Sequence, residues 1–452
     1  MLLSLTGPSW QKVKRGLFAD TSLVIWAMIV QNLLRIVSSM TLTRLLTAEA
    51  FAVMAVITSV LVTIGLVSDI GISAFIVRHE QSAEREFRDE VWTLRLIRGV
   101  MLSVATAALS IPFSNLMGRP ELYLVIAVAG LTSVLDGLGS LAPFVALRSR
   151  RLRRLTAIDV GSQIIGLVMS ITLAVWLRSY WAMILANLVG QALGVVFSYI
   201  FYEDSYQRWR FSRERAAELW RFSRFITGST ILTLIITQGD KLILTRALPL
   251  HTLGLYVIAA GLAAVPASLI GAYASKVTYP LLAEVRREAP ETMAYQFYHH
   301  RLAPALCYAF AAGGLIGFGP TLIAVLYDPR YLGAGAFLQI LAISSFFTMG
   351  TCMANEVMIA LGHARFTFFT NVVRLTYLLV GGAVGWFALG PIGIVWAVGT
   401  VELVAQLFGW FTLRRHALLD LRWEGLILIL AVAGVGTGCL ITMLAHLAFP
   451  VA

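Results

Sequence analysis

Apolar runs fill this chain almost end to end, each about as long as a helix needs to cross a bilayer, roughly 20 residues. Short polar turns separate them, such as GRPE (118–121), DPR (328–330) and ALGPIG (388–393), where glycine and proline stop regular structure. The pattern predicts spans at 21–43, 51–77, 92–112, 121–147, 156–177, 180–202, 223–245, 253–280, 302–327, 332–361, 367–389, 391–413 and 425–448. The expected fold is an all-α polytopic membrane protein.

Charge placement orients these spans, because cytoplasmic loops retain Lys and Arg. With Lys12, Lys14 and Arg15 inside, the cytoplasmic loops hold Arg78, Arg85 and Arg88, the run RSRRLRR (148–154) and RWRFSRERAAELWRFSR (208–224). Further along, the same side holds Arg286, Arg287, Arg301, Arg365, Arg414, Arg415 and Arg422, whereas the other side holds Arg44, Arg119, Arg178, Arg246 and Arg330. The N-terminus is therefore expected in the cytoplasm. An odd span count puts the C-terminus outside, so either one span is miscounted or the last helix lacks a partner.

Composition agrees. Apolar residues make up 58% of the 452 and charged residues 13%, against roughly 25% charged in soluble domains; the mean hydropathy is +0.81. The net charge of +11 sits in the inside loops, where it sets topology and meets anionic lipid; nucleic acid is not an expected partner. Cys307, Cys352 and Cys439 lie far apart inside apolar runs and read as small packing residues, with no metal or disulfide spacing.

The chain also repeats. Leu42-Thr43-Arg44 ends the first span and Leu244-Thr245-Arg246 ends the seventh, each after a basic lead-in, QKVKRGLFAD or ELWRFSRF. Six spans per half give both halves the same orientation, a parallel repeat about an axis along the membrane normal, with the substrate site between halves. The expected units are an N-lobe (1–206), a C-lobe (207–413) and an extra C-terminal helix (414–452). Arg44 and Arg246 read as interfacial anchors.

RLLTAEAFAVMAVITSVLVTIGLVSDIGISAFIVR (44–78) resembles the opening of the oligosaccharide flippases, the polysaccharide-transport branch of the multidrug/oligosaccharidyl-lipid/polysaccharide exporters. QGDKLILTRALPLHTLGLYVIA (238–259), YDPRYLGAGAFLQILAISSF (327–346) and IALGHARF (359–366) are similar to its later segments. The resemblance implies two six-helix lobes around a V-shaped cavity open alternately to each side. It implies a polyprenyl-diphosphate-linked oligosaccharide moved from the cytoplasmic to the outer leaflet of a bacterial inner membrane, for polymerisation outside. The family has twelve or fourteen spans, and thirteen departs from that.

Charges inside spans are costly, roughly 2.5–3.5 kcal/mol at a helix centre, and mark partners or wet cavities. Arg35 lies near the midplane of the first span and suits a diphosphate, which a guanidinium grips with paired hydrogen bonds; the other reading is an ion pair with Asp69 or Asp136. Lys241 is a second phosphate candidate with Asp240 as counter-charge or protonation site, or else it snorkels. Lys276 reads as snorkelling toward the cytoplasmic side or, on span eight, as lining the cavity mouth. Asp69, Asp136, Asp240 and Glu402 are the candidates for coupling to H+ or Na+, with an ion pair or a neutral buried carboxyl as the alternative. Glu356 and Arg374 read as snorkelling, Arg95, Arg98 and Asp159 as interfacial, and His299-His300 as the end of a polar loop without a metal.

Other cargoes on the same scaffold remain in view, a cationic drug or another lipid-linked precursor. A cation carrier should show free carboxylates, and the basic pair Arg35 and Lys241 favours an anion instead. A polymerase or ligase needs a long outer loop carrying chemistry, which the short outer loops lack. No enzyme activity and no cofactor is expected.

Overall fold

The computed structural model describes residues 8–67, 84–148, 152–202, 205–363 and 365–448, with single positions 72, 75, 76, 79 and 81. Asp69 lies outside them. Among the described residues every regular element is a helix. In the first half these are α1 (Pro8–Leu45), α2 (Ala48–Val67), α3 (Arg85–Leu116), α4 (Tyr123–Ala129), α5 (Leu131–Leu138), α6 (Ala142–Arg148), α7 (Leu152–Leu177) and α8 (Tyr180–Ile200). The second half has α9 (Arg213–Ala247), α10 (Leu250–Tyr273), α11 (Tyr279–Glu288), α12 (Met293–Leu326), α13 (Ala334–Ala360), α14 (Arg365–Leu389), α15 (Pro391–Arg415) and α16 (Leu421–Ala448). The turns form where expected: Gly118 and Gly390 take φ of 68° and 66°, open to glycine at no steric cost, and Pro120 and Pro391 start the next helical turns.

Eleven helical segments among the described residues are long and apolar enough to cross a membrane. The two other expected spans lie in α1 and α9, which have 38 and 35 residues. Three details differ from expectation. The fourth crossing is broken, with residues 139–141 non-helical between α5 and α6. The eighth continues from α10 through a π-turn, Ala274–Thr278, into α11. The ninth begins early, so His299 and His300 sit inside α12 and not in a loop. Cys307 and Cys439 are exposed on their helices, not buried.

Packing repeats between halves. In the first, α1 packs on α7, α7 on α8, α3 on α4 and α5, and α5 on α8; in the second, α9 packs on α14, α14 on α15, α12 on α13, and α13 on α15. The lobes meet reciprocally, α1 against α10 and α2 against α9 and α10. The thirteenth crossing, α16, packs on α12 through glycines. A Cβ at Gly313 or Gly317 would strike the backbone of Ala431 or Val435, and one at Gly434 or Gly438 that of Phe310 or Gly314. Small residues at four-residue spacing are what let membrane helices approach this closely.

The core shows how the lobes are arranged. One buried cluster joins both lobes at the end where α1 stops and α2 starts, running from Leu42, Leu46 and Val53 to Tyr256, Tyr331 and Leu338. Toward the opposite end the apolar cores are separate: Ala305, Met353 and Leu413 belong to the C-lobe, and Phe75, Phe87 and Leu141 to the N-lobe, where Leu219 of α9 joins them. Hydrogen bonds to backbone carbonyls stitch the joined end. Arg246 donates to Leu116 (3.2 Å), Arg119 to Leu248 (3.4 Å), Arg330 to Thr43 (3.3 Å) and Tyr331 to Leu46 (2.8 Å), each across the lobes. These oxygens lie at helix C-termini, which lack intrahelical donors. Arg330 is itself aimed by Asp328, whose carboxyl its hydrogen bond holds below the ordinary carboxylate range. Arg119, Arg246 and Arg330 thus hold the seam rather than only marking the interface.

Candidate functional site

The break in the fourth crossing builds a polar cavity. Gly99 and Gly137 let α3 and α5 touch backbone to backbone; a Cβ on Gly137 would lie 3.1 Å from the Arg95 carbonyl oxygen. That approach brings Arg95 of α3 to the broken end of α5, where it donates to the Gly139 carbonyl (3.2 Å) and to Asp136 Oδ1 (2.9 Å) and lies over the Phe144 ring (5.2 Å). Tyr199 caps the neighbouring Leu138 carbonyl at 2.8 Å. Irregular backbone at membrane depth is tolerated where it is buried in protein or lines a wet cavity.

The open cavity lined mainly by α1, α5, α7 and α8, with Arg95 of α3 and Phe144 of α6, has a volume of about 830 Å³, within the range of small-molecule sites. Its charged walls are Arg35, Arg95 and Asp136, with Gln163, Asn187 and Gln191 among its polar ones. The Arg95 side chain is 11% exposed and that of Asp136 55%, so the arginine stands behind and the carboxylate faces the opening. Arg35 also lines a smaller slot of about 250 Å³ between the lobes, with Phe51, Ile258 and Leu262, and donates to the Gly261 carbonyl of α10 at 2.7 Å. One guanidinium therefore borders a chamber whose walls carry Asp136, Gln163, Asn187 and Gln191 on one side, and a slot walled mainly by aliphatic and aromatic side chains on the other.

The structure brings together Arg35 and Asp136, but Asp136 takes Arg95 as its ion partner and not Arg35. Arg95, read from sequence as interfacial, is a cavity wall. The remaining candidates lie elsewhere. Asp240 accepts a hydrogen bond from Tyr256 of α10, and its other oxygen is buried without a partner among the described residues. Lys241 donates to Thr237 (3.0 Å) and Gln238 (3.4 Å), and Gln238 accepts from Ser59 of α2. Asp240 is therefore not the counter-charge of Lys241: neighbouring helix residues point in different directions. Lys276 sits exposed in the π-turn, facing Met28 Sδ of α1 at 3.9 Å. Glu402, expected to lack a neighbour, is paired with Arg374 (2.8 Å) and accepts from Thr351 (2.7 Å) deep in the C-lobe. Arg374 consequently does not snorkel. In the basic linker, Arg215 pairs with Glu90 of α3 (3.1 Å) and Arg210 with Glu86, while the Arg208 amide bonds Asp89 (2.9 Å). Those basic groups clasp the N-lobe in addition to any contact with lipid.

Curated relatives match this chain over most of its length at low identity. The succinoglycan biosynthesis transport protein ExoT of Rhizobium meliloti is 24% identical over 395 residues, 85% of this chain and 77% of that one. The lipopolysaccharide biosynthesis protein WzxC of Escherichia coli is 21% identical, covering 85% and 78%. Among solved structures, the lipid II flippase MurJ in an inward closed conformation matches with a TM-score of 0.70 at 12% identity, over 94% of this chain and 92% of that one. An inward-facing multidrug resistance transporter of the MATE family matches at 0.65 and 15% identity, over 88% and 95%. The helical two-lobed fold is thus shared with these two solved transporters. Residues 41–334, well over half of the chain, match the family described as polysaccharide biosynthesis protein, and this multi-span membrane protein belongs to that family.

Proposed function

We propose that the protein carries a polyprenyl-diphosphate-linked oligosaccharide from the cytoplasmic to the outer leaflet of a bacterial inner membrane by alternating access. The observation that carries this reading is the charge balance of the cavity, two arginines against one carboxylate that is already paired. Such a chamber favours an anion over a cationic drug, and the Arg35 guanidinium, which cannot lose its proton, matches diphosphate oxygens as a fork. The family and the transport and flippase names among its relatives support the same cargo class. With the N-terminus in the cytoplasm, the seam stitched by Arg119, Arg246 and Arg330 closes the outer side, and the separated ends of the lobes face the cytoplasm. The units are then 1–206 and 207–413, with 414–452 as an added helix on the C-lobe, and the substrate meets the N-lobe first.

The test is a host strain deleted for this gene. A lipid-linked oligosaccharide should accumulate on the cytoplasmic leaflet while surface polysaccharide disappears. Complementation with Arg35→Ala is expected to leave transport at least about tenfold below wild type, the size of a lost charge-assisted contact, with Arg35→Lys intermediate. Unpolymerised lipid-linked sugar found outside would replace this reading with a polymerase or ligase defect.

Asp240 is the carboxylate we assign to ion coupling, because one of its oxygens is buried without a partner among the described residues and the other accepts from Tyr256, which belongs to the cluster joining the lobes. Asp240→Asn is expected to keep cargo binding and lose the dependence of transport on an imposed proton or Na+ gradient. Gradient-driven transport surviving in that variant would remove Asp240 from the coupling path.

A further inference from the structure

We infer that the N-lobe cavity is a saccharide subsite, with Asp136, Asn187 and Gln191 reading the sugar of the cargo while Arg35 holds the diphosphate at its rim. The inference rests on the proposed cargo class and adds where its parts bind. Asn187 and Gln191 stand one turn apart on α8, on one helix face. Both are exposed, and neither side-chain amide has a protein hydrogen-bond partner among the described residues. Exposed on the cavity wall, both amides are free to bond a polar ligand that enters it.

The chemistry of the set fits hydroxyl groups. An amide offers two donors and an acceptor, whereas a carboxylate only accepts; each sugar hydroxyl needs both kinds of partner. Asp136 is arranged for this work. Arg95 occupies Oδ1 from behind and is itself held by the Gly139 carbonyl, which leaves Oδ2 toward the chamber. Pairing with Arg95 also cancels the Asp136 charge, so the chamber interior beyond Arg35 is close to neutral, as an uncharged sugar requires. Leu34, Met54, Leu167 and Met183 complete the wall and suit the C–H faces of a pyranose. The volume of about 830 Å³ holds a short oligosaccharide and not a polymer, and places this chain before polymerisation. On the other side of Arg35 the slot is mostly apolar. The boundary between sugar and lipid therefore falls at the diphosphate.

The experiment uses the full chain in lipid nanodiscs and two probes: the lipid-linked oligosaccharide extracted from the deletion strain, and bare undecaprenyl diphosphate. If the strain accumulates no such lipid, the proposed function fails and the subsite, which rests on it, fails with it. If it does, Asp136→Asn and, separately, Asn187→Ala with Gln191→Ala should weaken binding of the glycolipid by at least about tenfold. Binding of the bare lipid should stay unchanged in the Asn187 and Gln191 variant and should not weaken in Asp136→Asn, which uncovers the Arg95 charge, while Arg35→Ala weakens both probes. Equal loss for both probes, or loss for neither, overturns the subsite and leaves the cargo class standing. Asp136→Asn that binds glycolipid normally but loses gradient dependence would make Asp136 a protonation site and overturn it as well.

Discussion

Replacing Arg301 with Ala is expected to destabilise the protein by about 3–5 kcal/mol, the cost of stranding one partner of a buried ion pair. Arg301 of α12 donates to both oxygens of Glu424 on α16, at 2.6 and 3.2 Å, with the two side chains 2% and 4% exposed. Tyr298 adds a third donor to the same carboxylate at 3.1 Å, and the guanidinium lies 5.1 Å from the Phe297 ring centroid. Loss of Arg301 strands the buried Glu424 carboxyl with Tyr298 as its remaining side-chain donor. Thermal unfolding of the purified protein should show the drop, and Glu424→Ala should show one of similar size. The double replacement Arg301→Met with Glu424→Leu should recover most of it, because swapping a whole buried pair for apolar groups is often neutral or better. A double variant as unstable as the singles would mean that the pair itself, and not the stranded charge, holds α16.

That pair helps to hold α16 on α12, and the sequence carried half of the signal. Gly313 with Gly317 and Gly434 with Gly438 are four-residue glycine spacings on two apolar runs, the mark of close helix contact. Arg301 read as a loop residue because the apolar run of its span starts just after it, whereas the helix begins at Met293. The same error hid Arg95. Its apolar run starts near residue 92, but α3 starts at Arg85, which puts Arg95 about 15 Å into the helix at 1.5 Å per residue. Polar first turns extend membrane helices beyond their apolar stretch, so depth counted from hydropathy comes out too shallow. Partners across helices were harder still: Arg374 finds Glu402 only because α14 packs on α15, and no spacing rule encodes that contact. What periodicity and charge did convey is the span order, the repeated lobes, and the placement of Arg35 and Asp136 as costly charges in need of a wet cavity.

Gly254→Val should push the molecule out of the conformation described here. Gly254 of α10 packs directly on the Ala48 carbonyl at the start of α2, and any Cβ there would overlap that oxygen. The obstacle is backbone in two helices, so no side chain can swing aside; overpacking of this kind costs typically 1–3 kcal/mol and occasionally more. Relief comes only from separating α2 and α10. Separation also breaks the seam bonds of Arg119, Arg246, Arg330 and Tyr331, each worth about 1 kcal/mol net. A change of about 5.5 kcal/mol takes a two-state population from 99:1 to 1:99; the lost bonds are part of what opening costs and act against the shift, so the backbone overlap itself has to supply it. Spin labels at the exposed positions Glu121 and Leu332 should report a longer distance across the joined end, with transport arrested. Gly271→Ala, where nothing lies within 4 Å, is the control and should change neither. An unaltered distance in Gly254→Val with normal transport would mean that backbone contact between α2 and α10 does not set the closed end. A lengthened distance with normal transport would mean that closure there is not required in the cycle, and the alternating-access reading would lose its outer gate.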